Sequence, residues 1–325
     1  MKAKLEKLLK ATDNYPMQKY ICKSDVSDSL IEELKPDTIR CWAYNEVRVS
    51  PIDDDTNYTV LAMKVIDDYG FDFTSDNVLE AWCKWIPVFD TFTAERVAYR
   101  NYIIGLKPPE TACYRNPYRE MIGAQIRGDF FGYVNVGKPK EAGELAFRDA
   151  SISHIKNGIY GEMYVAALIA IAAVDDDIMF CIKKALEFIP KKSRLKRDIE
   201  KVITWYNEGV LELDVIEKIH EIFDETCSHH WCDTNSNAMI VIMALLYGNK
   251  DFGKSICLAV QAAIDTDCNG ATVGSVLGIM LGIDGIDSYW TDAFSNGLCT
   301  SMEGYGKVSL DTLVDKTIEI IKKKG

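Results

Sequence analysis

Residues 265–282 read DTDCNGATVGSVLGIMLG, and the fold turns on how this stretch is taken. Gly270, Gly274, Gly278 and Gly282 recur every fourth residue with apolar triplets between them, the spacing of one face of an α-helix. A glycine inside a helix costs roughly 1 kcal/mol against alanine. A stripe of four needs an offsetting gain, which close approach of a neighbouring helix backbone would supply. The same spacing serves transmembrane helix pairs, but this run is short and begins in an acidic loop. The expectation is a helix buried in a soluble core, its N-terminus at Asp267-Cys268-Asn269, packed closely enough to hold the aspartates rigidly.

Outward from it, the helical period dominates. Apolar residues recur at three- and four-residue spacings through 60–66, 78–85, 144–150, 159–174, 178–188, 199–205, 215–223, 238–246, 256–264 and 310–321. Pro87, Pro190 and Gly248 stand at expected stops, and Ser193 and Asp251 at expected N-caps. Alternating strands and hairpin signals are lacking, so the fold class is all-α. Residues 1–50 are polar and weakly patterned, and short helices or loops are expected there. No linker-like composition divides the chain, so 1–325 is expected to be one domain with an atypical N-terminal segment 1–50.

Composition narrows the function. The 325 residues are 48% hydrophobic, enough for a large core, and carry a formal charge of -12, which argues against nucleic acid or an anionic membrane as partner. Ten cysteines are scattered without repeating spacing, no apolar leader opens the chain, and no run approaches a membrane span. A cytoplasmic protein with reduced thiols is expected.

Two acidic clusters need explanation. Asp53-Asp54-Asp55-Thr56 lies in one half of the chain and Asp265-Thr266-Asp267 in the other. Crowded like charges are unfavourable unless water or a cation takes up the charge. Brought together, these aspartates would form a set of hard oxygen ligands suited to Mg²⁺ or Mn²⁺. The segment 91–133 is rich in arginine and tyrosine (Arg96, Arg100, Arg115, Arg119, Arg127 among them) and reads partly as a long loop. Two readings stand side by side: surfaces for a phosphate- and base-bearing ligand, or an arginine–carboxylate network tying the loop to the bundle. Cys227-Ser228-His229-His230-Trp231-Cys232 lacks the second ligand pair of a structural zinc site, and a corner packing Trp231 is expected instead.

In this order the motifs resemble the ADP-ribosylglycohydrolase family over about residues 50–320. Asp53-Asp54-Asp55-Thr56 looks like its N-terminal metal motif, and Gly123-Ala124-Gln125-Ile126-Arg127 like its central glycine-to-arginine loop. Ser153-His154 with Gly158 looks like its Thr-His segment, and Asp265-Thr266-Asp267 like its C-terminal Asp-x-Asp motif. The sequence departs from the pattern in three places. No glycine-rich helix precedes the first motif, Asp53 stands where threonine is usual, and Cys268 where threonine or serine follows the second aspartate.

The resemblance implies an orthogonal helical bundle around two divalent cations, Mg²⁺ or Mn²⁺, held by Asp53, Asp54, Asp55, Asp265 and Asp267. The implied activity is hydrolysis of the glycosidic bond of an ADP-ribosyl group, on a protein or a small molecule. Asp54 or Asp265 would take the proton of a metal-activated water attacking the anomeric carbon. Gly123, Arg127, Asn157 and Gly158 would cradle the pyrophosphate, His154 would bind a phosphate or ribose hydroxyl, and Tyr160 or Tyr118 would stack on adenine. The family's further acidic residue falls on Glu46 or Glu95. Two alternatives remain: a non-catalytic relative that binds ADP-ribose-like ligands or serves a structural role, and an isoprenoid-synthase-like diphosphate site, against which the sequence after Asp267 speaks.

Overall fold

The computed structural model describes residues 1–34, 49–292, 294 and 297–324. Helices make up 65% of the described residues. Against them, the described residues form one short antiparallel pair, Gly297–Cys299 with Lys307–Ser309, placing Leu298 opposite Val308. The expected stops and caps are in place. Helix Ser75–Trp85 ends before Pro87, and helix Thr234–Gly248 ends at a left-handed Asn249. Ser193 and Asp251 accept the amides of Lys196 and Lys254. The segment 91–133 is only partly irregular, since Thr93–Ile103 and Asp129–Tyr133 are helical.

Helix Asn157–Ala172 organises the interior. Apart from Asn157 and Glu162 its buried residues are apolar or small on every face, the pattern of a helix enclosed by others. Leu168, Ile169 and Ile171 pack with Val202, Ile240 and Leu245 in one core cluster. Ala166 and Ala170, one turn apart, pack with Leu61, Val65, Leu79, Trp82 and Leu145 in the other. Helix Thr266–Leu281 bridges the two clusters, with Val273, Val276 and Leu277 in the first and Cys268 in the second. The two acidic motifs, more than two hundred residues apart in sequence, are thereby set on neighbouring elements. Near the N-terminus, helices Lys2–Ala11 and Asp28–Leu34 close a small cluster of Leu8, Val26, Leu30 and Leu34. Glu46 lies outside the described residues.

The glycine stripe differs from its expectation. A Cβ on Gly270 would meet Val260 at 3.7 Å and one on Gly274 would meet Ile256 at 3.9 Å, both ordinary contacts, while Gly278 has open space. Gly282, at φ +66°, caps the helix. Instead of seating a backbone, Ala271, Ser275 and Gly278 line a cavity of about 800 Å³ bounded by Val60, Met63, Tyr133 and Ile318 among the described residues. Close approach occurs elsewhere, at Gly128 and Gly132. There an added Cβ would lie 2.8 Å from the Glu162 carbonyl oxygen and 2.6 Å from Ile169 Cβ, respectively. These two glycines let the Asp129–Tyr133 turn lie against helix Asn157–Ala172.

The two kinds of glycine should respond oppositely to alanine. Gly278→Ala is expected to stabilise the protein by about 1 kcal/mol through helix propensity, and Gly132→Ala to destabilise it by about 1–3 kcal/mol through overpacking. Urea denaturation measures both, and destabilisation by Gly278→Ala would show that this face is packed after all.

Candidate metal centre

Two helix N-termini meet at the centre. Asp53 is the N-cap of helix Asp54–Tyr69, its carboxylate accepting the Asp55 amide at 2.9 Å. Asp265 holds the N-cap position of helix Thr266–Leu281. One carboxylate oxygen each from Asp53, Asp54 and Asp55 lie within 4.8 Å of one another. So do donor atoms of Asp55, Asp267 and Cys268, which makes Asp55 common to both groups. The partial positive charge at each helix N-terminus favours anions there, but two such ends do not neutralise five carboxylates.

The electrostatics show the resulting crowding. Burial, then the charge of Asp53, pushes the Asp54 carboxyl up to about 7. Burial, then Asp53 and Asp54, holds Asp55 well above the usual carboxylate range, and burial followed by Asp267 does the same to Asp265. Asp55 is only 6% exposed, and its Oδ2 has no hydrogen-bond partner. A buried carboxylate oxygen without a donor is costly. Among hard oxygen donors at this spacing, a divalent cation is the partner that fits. Asp267 is exposed and opens the centre to solvent.

What holds the second motif in place was not legible beforehand. Ala263 and Ile264, immediately before Asp265, both have left-handed backbones at φ +60° and +65°. For a β-branched isoleucine this stores strain, about 1–3 kcal/mol per residue. Fully buried Asn237 fastens the loop, its Oδ1 accepting the Asp265 amide at 3.3 Å and the Asn269 side chain at 2.8 Å. Cys232 is buried with its thiol 3.9 Å from Asp265 Oδ2. The turn around it does not pack Trp231, which is 37% exposed.

The expected ligand-binding residues divide. Arg127 is not available to a ligand; it is 1% exposed and surrounded by carboxylates. Its Nε lies 2.5 Å from Asp149 Oδ1, Nη1 2.9 Å from Glu95 Oε1 and Nη2 3.6 Å from Glu162 Oε2, with the guanidinium over the Trp82 ring. Of the two readings of this segment, the arginine–carboxylate network is the one Arg127 enters. His154 is also fully buried, its Nδ1 2.8 Å from Ser153 Oγ and its Nε2 3.9 Å from Glu95 Oε1. Burial, then Arg127's charge, keeps it well below the usual histidine range and so neutral. The Gly158 amide donates to Ile155 O, and Asn157 bonds Glu120 and the Leu195 amide. Tyr160 is half-buried against the first core cluster. Gly123 is the member still beside the centre. A Cβ there would meet Glu95 Oε1 at 2.1 Å, so only glycine admits this carboxylate, whose charge acts on Asp54.

The fold is a helical bundle that brings together aspartate motifs from the two halves of the chain. The family model for ADP-ribosylglycohydrolases matches residues 17–323. The chain belongs to the ADP-ribosylglycohydrolase family. A solved structure described as an ADP-ribosylglycohydrolase-related protein complex is similar to it, with 17% identity and a TM-score of 0.53, covering 74% of this chain and 75% of that one. At that identity the likeness concerns the fold. No curated protein matches the chain.

Two expectations follow from the charges. In metal-free protein at pH 8, Asp55→Asn should raise the melting temperature by removing a crowded charge, and should abolish most of the further rise that Mn²⁺ gives the parent protein. Thermal melts with and without Mn²⁺ measure this, and an undiminished Mn²⁺ response would remove Asp55 from the centre. Burial, then the charge of Asp149, raises Glu162 well above its usual range. A raised folded-state value means that the stability Glu162 contributes is fully present below about 4.3 and declines as pH rises. Glu162→Gln should therefore match the parent near pH 5 and gain on it progressively toward pH 9.

Proposed function

We propose that the protein is a divalent-cation-dependent glycosidase that hydrolyses the bond between an ADP-ribosyl group and its acceptor, on an ADP-ribosylated protein or a small ADP-riboside. The observation that carries this is Asp55, a buried carboxylate with an unpartnered oxygen shared by the two acidic motifs. Family membership supplies the reaction class. Asp53, Asp54, Asp55, Asp265 and Asp267 would hold Mg²⁺ or Mn²⁺, two ions in this reading. Such ions supply Lewis-acid charge for sugar hydroxyls and make water more acidic.

The remaining work falls to the chain. Asp54 and Asp265 are both half-buried residues, and one of them would accept the proton of the attacking water. The carboxylates would also favour the oxocarbenium-like charge that develops on the ribose. Exposed Asp267 marks the side from which substrate would enter, and buried Gly123 leaves the room that the Glu95 carboxylate occupies. Arg127 would act by holding Glu95, and His154 by holding Ser153, without touching substrate. Their burial is also what favours the second reading, a non-catalytic family member that binds ADP-ribose-like ligands or serves a structural role.

Incubation with Mg²⁺ or Mn²⁺ and ADP-ribosylated arginine, ADP-ribosylated serine or small ADP-ribosides, followed by chromatography, separates the two. The hydrolase releases free ADP-ribose, and Asp54→Ala and Asp265→Ala each lower the rate by about a hundredfold or more with the far-UV circular dichroism unchanged. Absence of release from every substrate, with no metal found by elemental analysis, would sink the hydrolase.

A further inference from the structure

The cavity beside the glycine stripe has no part in the glycosidase reading. It measures about 800 Å³, within the roughly 300–1,000 Å³ that small-molecule sites span. Its walls include Val60 and Met63 from helix Asp54–Tyr69, Ile279 from helix Thr266–Leu281, Leu313 and Ile318 from helix Leu310–Lys324, and Phe130 from the turn Asp129–Tyr133. Of the five aspartates at the candidate metal centre, Asp55 alone contributes to this lining. Leu310, Val314 and Ile318 are exposed and mark the mouth, whereas Asp129, 5% exposed, marks the depth. We infer that the cavity is a binding site for a small apolar amine, its ammonium group held by the Asp129 carboxylate and its hydrocarbon part by the walls. This site goes beyond the glycosidase and does not depend on it.

The lining selects the sign of the ligand. Its charged members are Asp55 and Asp129, both acidic, and among the described residues no lysine, arginine or histidine lines the cavity. A phosphate or carboxylate would be repelled there, so the cavity does not suit the ADP-ribosyl group. The hydroxyls are already engaged. Thr56, Thr59 and Thr317 donate to the carbonyl oxygens of Asp53, Asp55 and Leu313, and Tyr133 donates to Ser275 Oγ at 2.7 Å. Ser275 is in turn hydrogen-bonded to Asp129. An ionised carboxylate offers about four acceptor positions, so one hydroxyl leaves Asp129 with capacity to spare. Burial pushes its carboxyl up to about 7, as befits a buried acid without a cation beside it. An ammonium group supplies both the positive charge and three donors. Hydrocarbon laid along the apolar walls adds affinity that a bare ammonium ion lacks. Asp55 belongs to the candidate metal centre, which leaves Asp129 as the anchor.

Isothermal titration calorimetry of the full chain in excess Mg²⁺, which competes with any ammonium for the acidic centre, compares decylamine, 1-decanol and decanoate. Decylamine should bind about tenfold or more tighter than decanol, and decanoate most weakly. Asp129→Asn should bring decylamine down to the affinity of decanol with the far-UV circular dichroism unchanged. Gly278→Leu, which puts a side chain where the structure has open space, should weaken decylamine and decanol together. Methylamine, with the charge but not the chain, should fail to displace decylamine. Absence of decylamine binding, equal affinity for the three ligands, full decylamine affinity in either variant, or displacement by methylamine overturns the amine site. None of these outcomes touches the release of ADP-ribose, so the amine site and the hydrolase stand or fall separately.

Discussion

Five carboxylates gathered at two helix N-termini are the constraint around which this molecule is arranged. Helix ends attract negative charge but offer only partial positive charge in return, so the gathering carries a surplus that the protein does not cancel. The fold accepts further costs to keep it. Two consecutive left-handed residues, one of them isoleucine, lead into Asp265, and Asn237 devotes a buried amide to fastening that loop. Strain and burial of this kind concentrate where a geometry is needed for something other than stability.

A second group of buried carboxylates in the same protein shows the contrast. Glu95, Asp149 and Glu162 also crowd together in the core, yet Arg127 stands among them as a built-in cation. Burial costs are met there in part by an internal partner, with rings of Trp82 and Tyr58 over the guanidinium, although both Glu162 oxygens remain without a hydrogen bond. The first group has no such residue. Similar chemistry, one with its counter-ion built in and one without, is the physical difference between a structural network and a site open to a cation.

How much of this was legible in the sequence follows from the range over which each signal acts. Helix periods, the caps at Ser193 and Asp251, and the stop at Pro87 are local and appeared where expected. The two acidic motifs were visible because clustered charge is anomalous wherever the chain goes. The glycine stripe misled because spacing describes a helix face but not what lies opposite it, and Gly278 faces a cavity. Gly128 and Gly132, which do seat a helix, sit in an irregular aromatic segment where no period draws attention to them. Asn237 and Glu162 were passed over for the same reason, and Cys232 drew notice only as part of an incomplete zinc cluster. Each looks like an ordinary residue in its own neighbourhood and acquires its role only through partners in distant segments.

Glu95 links the two charge groups and gives the remote network a route to the centre. Its carboxylate abuts Gly123, bonds Arg127 at 2.9 Å and contributes to the field at Asp54. With Arg127 in place, much of that charge is answered inside the core; without it, Glu95 would add a further uncompensated carboxylate beside an already crowded set. Arg127 therefore acts on the centre electrostatically through Glu95, although it lies too deep to touch a ligand. The charge that Arg127 cancels is thus linked to Asp54 through Glu95, and Gly123 preserves the link because any side chain there would displace that carboxylate.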